Sequence, residues 1–171
     1  MKKYILSLIL ATLAIVSTDA QRFAIVDVSG ILEKVPEYQK AQTELDKLAA
    51  EWRQEIAKEY DQIKSLYNKY QAEQVLLSDQ ARIEREEEIM NREKKVRDLQ
   101  NQRFGPEGDL FRRRSELVQP IQEEVYGAIE EFAQNRGYEA IFDKSGNAGL
   151  IFASEDLDKT TDVLRLLGLN K

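Results

Sequence analysis

Between Ala41 and Tyr70 the apolar residues Ala41, Leu45, Leu48, Trp52, Ile56, Tyr60, Ile63, Tyr67 and Tyr70 recur at steps of three and four, and the residues between them are mostly charged or polar. A stripe this narrow suits the seam of a coiled coil facing one partner helix, not a helix buried in a globule. From Leu45 the steps run 3, 4, 4, 4, 3, 4, 3. They place one four-residue stutter between Trp52 and Ile63, which locally unwinds a left-handed supercoil.

Pro36 sits just inside the start of this helical stretch, which the pattern carries to about Leu77. Leu77-Ser78-Asp79 interrupts it, and Ser78 or Asp79 is placed to cap a second helix from about Gln80 to Asn135. Phe104-Gly105-Pro106-Glu107-Gly108 breaks that helix, since proline costs about 3 kcal/mol inside a helix and glycine about 1. Beyond the break Leu110, Leu117, Ile121, Val125, Ile129 and Phe132 resume a stripe. Pro120 should bend the helix, and Arg136-Gly137 stops it. The expectation is an arm over residues 36–135, with its tip near 75–82, its break near 104–109, and a length of roughly 60 Å from about forty helical residues at 1.5 Å each.

Both flanks of the arm read as strands. Gln21 to Ser29 is a near-continuous apolar run closed by Ser29-Gly30. Tyr138 to Phe142 and Leu150 to Ala153, joined by the turn from Asp143 to Gly149, predict a β-hairpin. Asp158 then caps a last helix carrying Val163, Leu164, Leu166 and Leu167, closed by Gly168. The predicted fold is α+β and predominantly α. A small β body with a C-terminal helix, from residues 21–35 and 136–171, carries a long antiparallel coiled-coil hairpin. Three short strands and one helix bury too little surface to stand alone, so association through the sheet is the natural remedy. The candidates for the shared core are Phe23, Ile25, Val26, Tyr138, Ile141, Phe142, Leu150 and Phe152.

Ahead of these elements, Lys2 and Lys3 precede an apolar run from Tyr4 to Val16 and the small residues Ser17-Thr18-Asp19-Ala20. This is the layout of a secretory signal peptide, too short to span a bilayer of roughly 30 Å, with cleavage expected after Ala20. The exported chain is then predicted to be soluble and not membrane-integral. Cleavage takes the formal charge from −6 to about −7, which disfavours nucleic acid as a partner.

The sequence holds no histidine and no cysteine. Disulfides, zinc sites of the Cys/His kind and thiol or Ser-His nucleophiles are excluded, and we expect no enzyme, cofactor or metal. Asp27-Val28-Ser29-Gly30 lacks the second carboxylate of an acidic-nucleophile site and reads as a turn at a strand end. Glu86-Glu87-Glu88 points in three directions around a helix, and Arg112-Arg113-Arg114 sits among Glu107, Asp109 and Glu116. The aromatic set on the first long helix packs in the seam or offers a forgiving contact surface, apolar in body and polar at the tip. The candidates for such contact are Trp52, Ile56, Tyr60, Ile63, Tyr67 and Tyr70.

Phe23-Ala24-Ile25-Val26-Asp27, Gly137-Tyr138-Glu139-Ala140-Ile141-Phe142-Asp143, Leu150-Ile151-Phe152-Ala153-Ser154 and Asp158-Lys159-Thr160-Thr161-Asp162-Val163-Leu164 together resemble the Skp/OmpH family of periplasmic chaperones. Phe104 to Phe111 and Glu116 to Pro120 look like the version found in Bacteroidetes-type bacteria. The resemblance implies a jellyfish-shaped homotrimer in the periplasm, whose arms enclose a cavity and hold unfolded outer-membrane β-barrel proteins. Release to the outer-membrane assembly machinery would follow, with no need of ATP. The well-known members are basic and this chain is acidic, so apolar and aromatic side chains should carry the client contact. The competing class is a structural coiled-coil spacer or tether of the cell envelope without a client. An unbroken seam and an anchor at each end would mark a spacer, and here the seam is broken twice.

Overall fold

A computed structural model describes residues 21–146 and 149–169. The expected signal peptide, and Asn147 and Ala148 of the expected turn, lie outside the described residues.

Strand β1 is short, Phe23–Val26, and helix α1 follows at once over Val28–Leu32. The apolar run predicts a strand as far as Ser29. Asp27 ends it earlier because its Oδ1 accepts the Gly30 amide at 2.7 Å, which starts a helical turn. That turn buries Val28, Ile31 and Leu32 together. Pro36 then opens α2, which runs 38 residues to Glu73 and closes in a short 3-10 turn at Gln74–Leu76. Ser78 caps α3, Asp79–Phe104, by accepting the Ala81 amide. After the break at Gly105–Gly108, α4 runs from Asp109 to Arg136, unbroken through Pro120.

Gly137, at φ 67°, ends α4 in the left-handed conformation. Its amide bonds Gln134 and that of Tyr138 bonds Ala133, a Schellman closure, with the Tyr138 ring stacked on Phe132 at 5.7 Å. The chain is thereby turned into β2, Ala140–Asp143.

The predicted hairpin does not form. β2 pairs with β1 in parallel, Phe23 beside Ala140 and Val26 beside Asp143, in a two-stranded sheet. Leu150 to Ala153 forms no strand. A parallel pair needs a long crossover, and the whole helical arm is that crossover. The other edge of β1 is met at one point: Asp158 bridges Ile25, and the Lys159 amide bonds the Ile25 carbonyl at 2.9 Å. Helix α5, Thr160–Leu166, buries Val163 and Leu164 and leaves Leu166 exposed.

The base core gathers Val26, Val28, Ile31, Leu32, Val35, Val125, Phe132, Val163 and Leu164, with Tyr138 and Ile141 packed on it. Farther out α2 packs against both α3 and α4. Partner numbers fall as those on α2 rise: Glu44 meets Arg113, Glu55 meets Arg103, Gln62 meets Arg92 and Tyr70 meets Glu86.

Candidate contact surfaces on the arm and the base

The seam of α2 is not quite the one the sequence suggested. Ala41, Leu45, Ala49, Ile56, Ile63 and Tyr70 are buried, with Gln42, Leu48, Trp52, Glu59 and Leu66 partly so. From Ala49 onward this is a regular heptad, so the extra four-residue step falls between Ala41 and Ala49, not between Trp52 and Ile63. Tyr60 and Tyr67, expected in the seam, each stand one residue past it and are 44% and 49% exposed. The partly buried positions beside them belong to Glu59 and Leu66.

The six client-contact candidates therefore divide. Ile63 and Tyr70 are packed with Ile89 and Val96 in the interior of the arm, where a client cannot reach them without opening it, and Ile56 is buried beside them but for one edge at the side of the arm. The Tyr70 hydroxyl donates to the Glu86 carboxylate, which holds the phenol above its ordinary pKa. Trp52 packs edge-on against Phe104, with the Arg103 guanidinium 4.7 Å from its ring centre. Of the six, Tyr60 and Tyr67 are the two that stand exposed at the surface. The arm also exposes Val75, Leu76, Ile83, Met90, Phe111 and Tyr126, none of them among the contact candidates expected from the sequence. Their signal was apolar character away from the stripe.

The break between α3 and α4 is a tight knuckle. Both glycine amides are satisfied, Gly105 by Asn101 at 2.8 Å and Gly108 by Gly105 at 2.9 Å. A Cβ on Gly105 would stand 2.4 Å from the Asn101 carbonyl oxygen, and one on Gly108 2.8 Å from that of Gln102. Arg103 spans the knuckle, bonding Asp109 at 2.8 Å and reaching Glu55 of α2 at 3.6 Å. Arg113 is taken up by Glu44 at 2.6 Å and Glu116 at 3.0 Å, which raises its pKa, and Arg112 pairs with Asp109. The triple arginine is largely neutralised by its neighbours.

At the base the shared-core candidates also split. Ile25 and Val26 are buried within the single chain, and Tyr138 and Ile141 pack on the same core. Phe23 and Phe142 remain 41% and 46% exposed, their rings 6.1 Å apart. Leu150 and Phe152 are exposed with Ile151, which is wholly so. This apolar face is fastened by polar bonds. Asp143 Oδ1 accepts the amides of Val28 and Ser145 and the Ser145 hydroxyl. Asp158 takes Lys144 Nζ at 2.7 Å and the Thr160 amide and hydroxyl. Partial burial pushes both carboxyls up, but these hydrogen bonds outweigh it and hold both below the usual carboxylate range, while Asp158 raises Lys144.

Among the described residues no three carboxylates, histidines or cysteines cluster to hold a metal ion, and no helix is long and apolar enough to cross a membrane. These surfaces suit binding by contact area.

No curated protein matches this chain. A crystal structure from Caulobacter crescentus, of a protein assigned as an OmpH-like outer membrane chaperone, has the same fold at 10% identity. Its TM-score is 0.67, covering 90% of this chain and 86% of that one. The model of the OmpH-like outer membrane protein family matches residues 22–167, and the chain belongs to that family.

Proposed function

We propose that the protein is an ATP-independent periplasmic holdase that keeps unfolded outer-membrane β-barrel proteins from aggregating. Family membership supports a chaperone role in general. The observation that carries the finer reading is the placement of free apolar side chains. Tyr60, Tyr67, Ile83 and Met90 stand out on a thin arm whose seam is already filled, so they are available to another chain. The uncovered face of Phe23, Phe142, Leu150, Ile151 and Phe152 suits self-association, and a homotrimer joined there would set three antiparallel hairpin arms around a common space. Client binding would then be the sum of many weak apolar contacts, at roughly 25 cal/mol per Å² of surface buried. Holding the unfolded state is mass action and needs no catalytic group.

The test dilutes a urea-unfolded outer-membrane β-barrel into buffer with the purified protein and follows light scattering. Suppression saturating at one trimer per client is the expected result. Scattering equal to the control would leave the envelope-spacer reading in its place.

A further inference from the structure

Where α3 ends, a groove opens on the side of the arm. Ile56, Ala57 and Tyr60 of α2 and Gln100 and Phe104 of α3 line a space of about 380 Å³, with Arg53 beside them. The groove exists because the chain leaves its helical path at Gly105, so no further turn of α3 follows Phe104.

Arg53 selects the occupant. The residues three and four positions from it on α2 are Ala49, Ala50, Ile56 and Ala57, so its own helix face offers no carboxylate. The nearest acids in sequence are engaged elsewhere, Glu51 with Lys47 at 4.0 Å and Glu55 with Arg103 at 3.6 Å. Among the described residues Arg53 makes no ion pair, and its guanidinium lies 5.9 Å from the centre of the Phe104 ring. An uncommitted cation over an apolar groove, in a chain of net charge −6, is complemented by a ligand bringing both a ring and an anion.

Building on the holdase reading, we propose that this groove is a client subsite for an extended segment in which an aromatic side chain adjoins a carboxylate. The ring lies against Phe104, Tyr60 and Ile56, and the carboxylate pairs with Arg53. The ring supplies most of the affinity, since an exposed ion pair adds little. The carboxylate supplies the selection.

Trp52 is the chain's one tryptophan and its ring stands 6.2 Å from Phe104, so its fluorescence reports on the groove wall. The purified protein is titrated with acetyl-Gly-Phe-Asp-Gly-amide and with the analogues carrying Asn for Asp or Ala for Phe. The Phe-Asp peptide should shift the Trp52 emission saturably, and the Ala analogue should not. The Asn analogue, and Arg53→Gln with the parent peptide, should each bind about fivefold more weakly. Ala57→Phe, at an exposed helix position, should fill the groove and abolish the shift with helicity unchanged. Equal binding of the Asp and Asn peptides, or undiminished binding to Ala57→Phe, overturns the proposal. The aggregation assay on the same samples separates the two readings. Suppression by the parent protein without peptide selectivity sinks the subsite alone, and selective peptide binding without suppression sinks the holdase and keeps the subsite.

Discussion

At the scale of single residues, the glycines of the knuckle and of α4 make opposite predictions. Gly105→Ala drives a methyl into the Asn101 carbonyl and should destabilise the protein by about 1–3 kcal/mol, as overpacking does. Gly127 lies inside α4, and a methyl added there would meet nothing within 4 Å, so Gly127→Ala should stabilise by about 0.5–1 kcal/mol. Urea midpoints of the two variants check the pair: a midpoint not lowered by Gly105→Ala would refute the geometry of the knuckle, and one lowered by Gly127→Ala would refute the open space at that position. Acid makes a second residue-scale test. Asp143 and Asp158 have folded pKa values below the ordinary 3.8, so the folded state binds their protons more weakly than the unfolded one. Their contribution is full above the ordinary value and is lost as pH falls through the folded values. The urea midpoint should drop across that window, and Asp143→Asn with Asp158→Asn should be less stable at neutral pH but flatter below it. Parallel pH profiles for parent and variant would count against this fastening of the base.

At the scale of elements, buried seam and free surface should separate in the same assay. Ile63 is 7% exposed, and Ile63→Ala should cost about 2 kcal/mol, the low end for such a cavity because a thin arm can relax. Tyr67→Ala, at an exposed position, should stay within about 0.5 kcal/mol of the parent and weaken client holding instead. Equal losses of stability would mean that Tyr67 packs in the seam after all. The two interruptions of the helices should also differ. Val75 and Leu76 are 89% and 83% exposed at the tip, whereas the Gly105 and Gly108 amides are bonded within the knuckle. Amide exchange should be fastest at 75–76 and slower at Gly105 and Gly108. The sequence pattern alone makes both sites weak points, because it shows that a helix stops and not how the stop is satisfied.

At the scale of the whole molecule, the exposed apolar face of the base offers the cleanest test of association. Ile25 is already buried within one chain, so Ile25→Asp would unfold the base and say nothing about partners. Phe142→Asp and Phe152→Asp alter side chains that are exposed in the single chain, and should leave helicity intact while light scattering falls from the proposed trimer to monomer. A trimer surviving both changes would remove this face as the joint.

The long helices of the arm and their stops were legible in the residues alone, because they depend on side chains within a turn of one another. By contrast, α1 falls in a run that predicts a strand, and the last helix is capped at Lys159 instead of the expected Asp158. Pro36, Ser78, Gly105–Gly108 and Gly137 act where the pattern placed them. The heptad spacing likewise showed that α2 has a partner along its length. Long-range packing settled the rest. Four-residue strands carry too little local information to choose a neighbour, so the parallel pairing of β1 with β2 came from the helices that return the chain, and Leu150 to Ala153 was left without a strand. The choice of Glu59 over Tyr60 and Leu66 over Tyr67 beside the seam was also tertiary, since adjacent residues on a helix differ by about 100° and only the position of the partner helix selects between them.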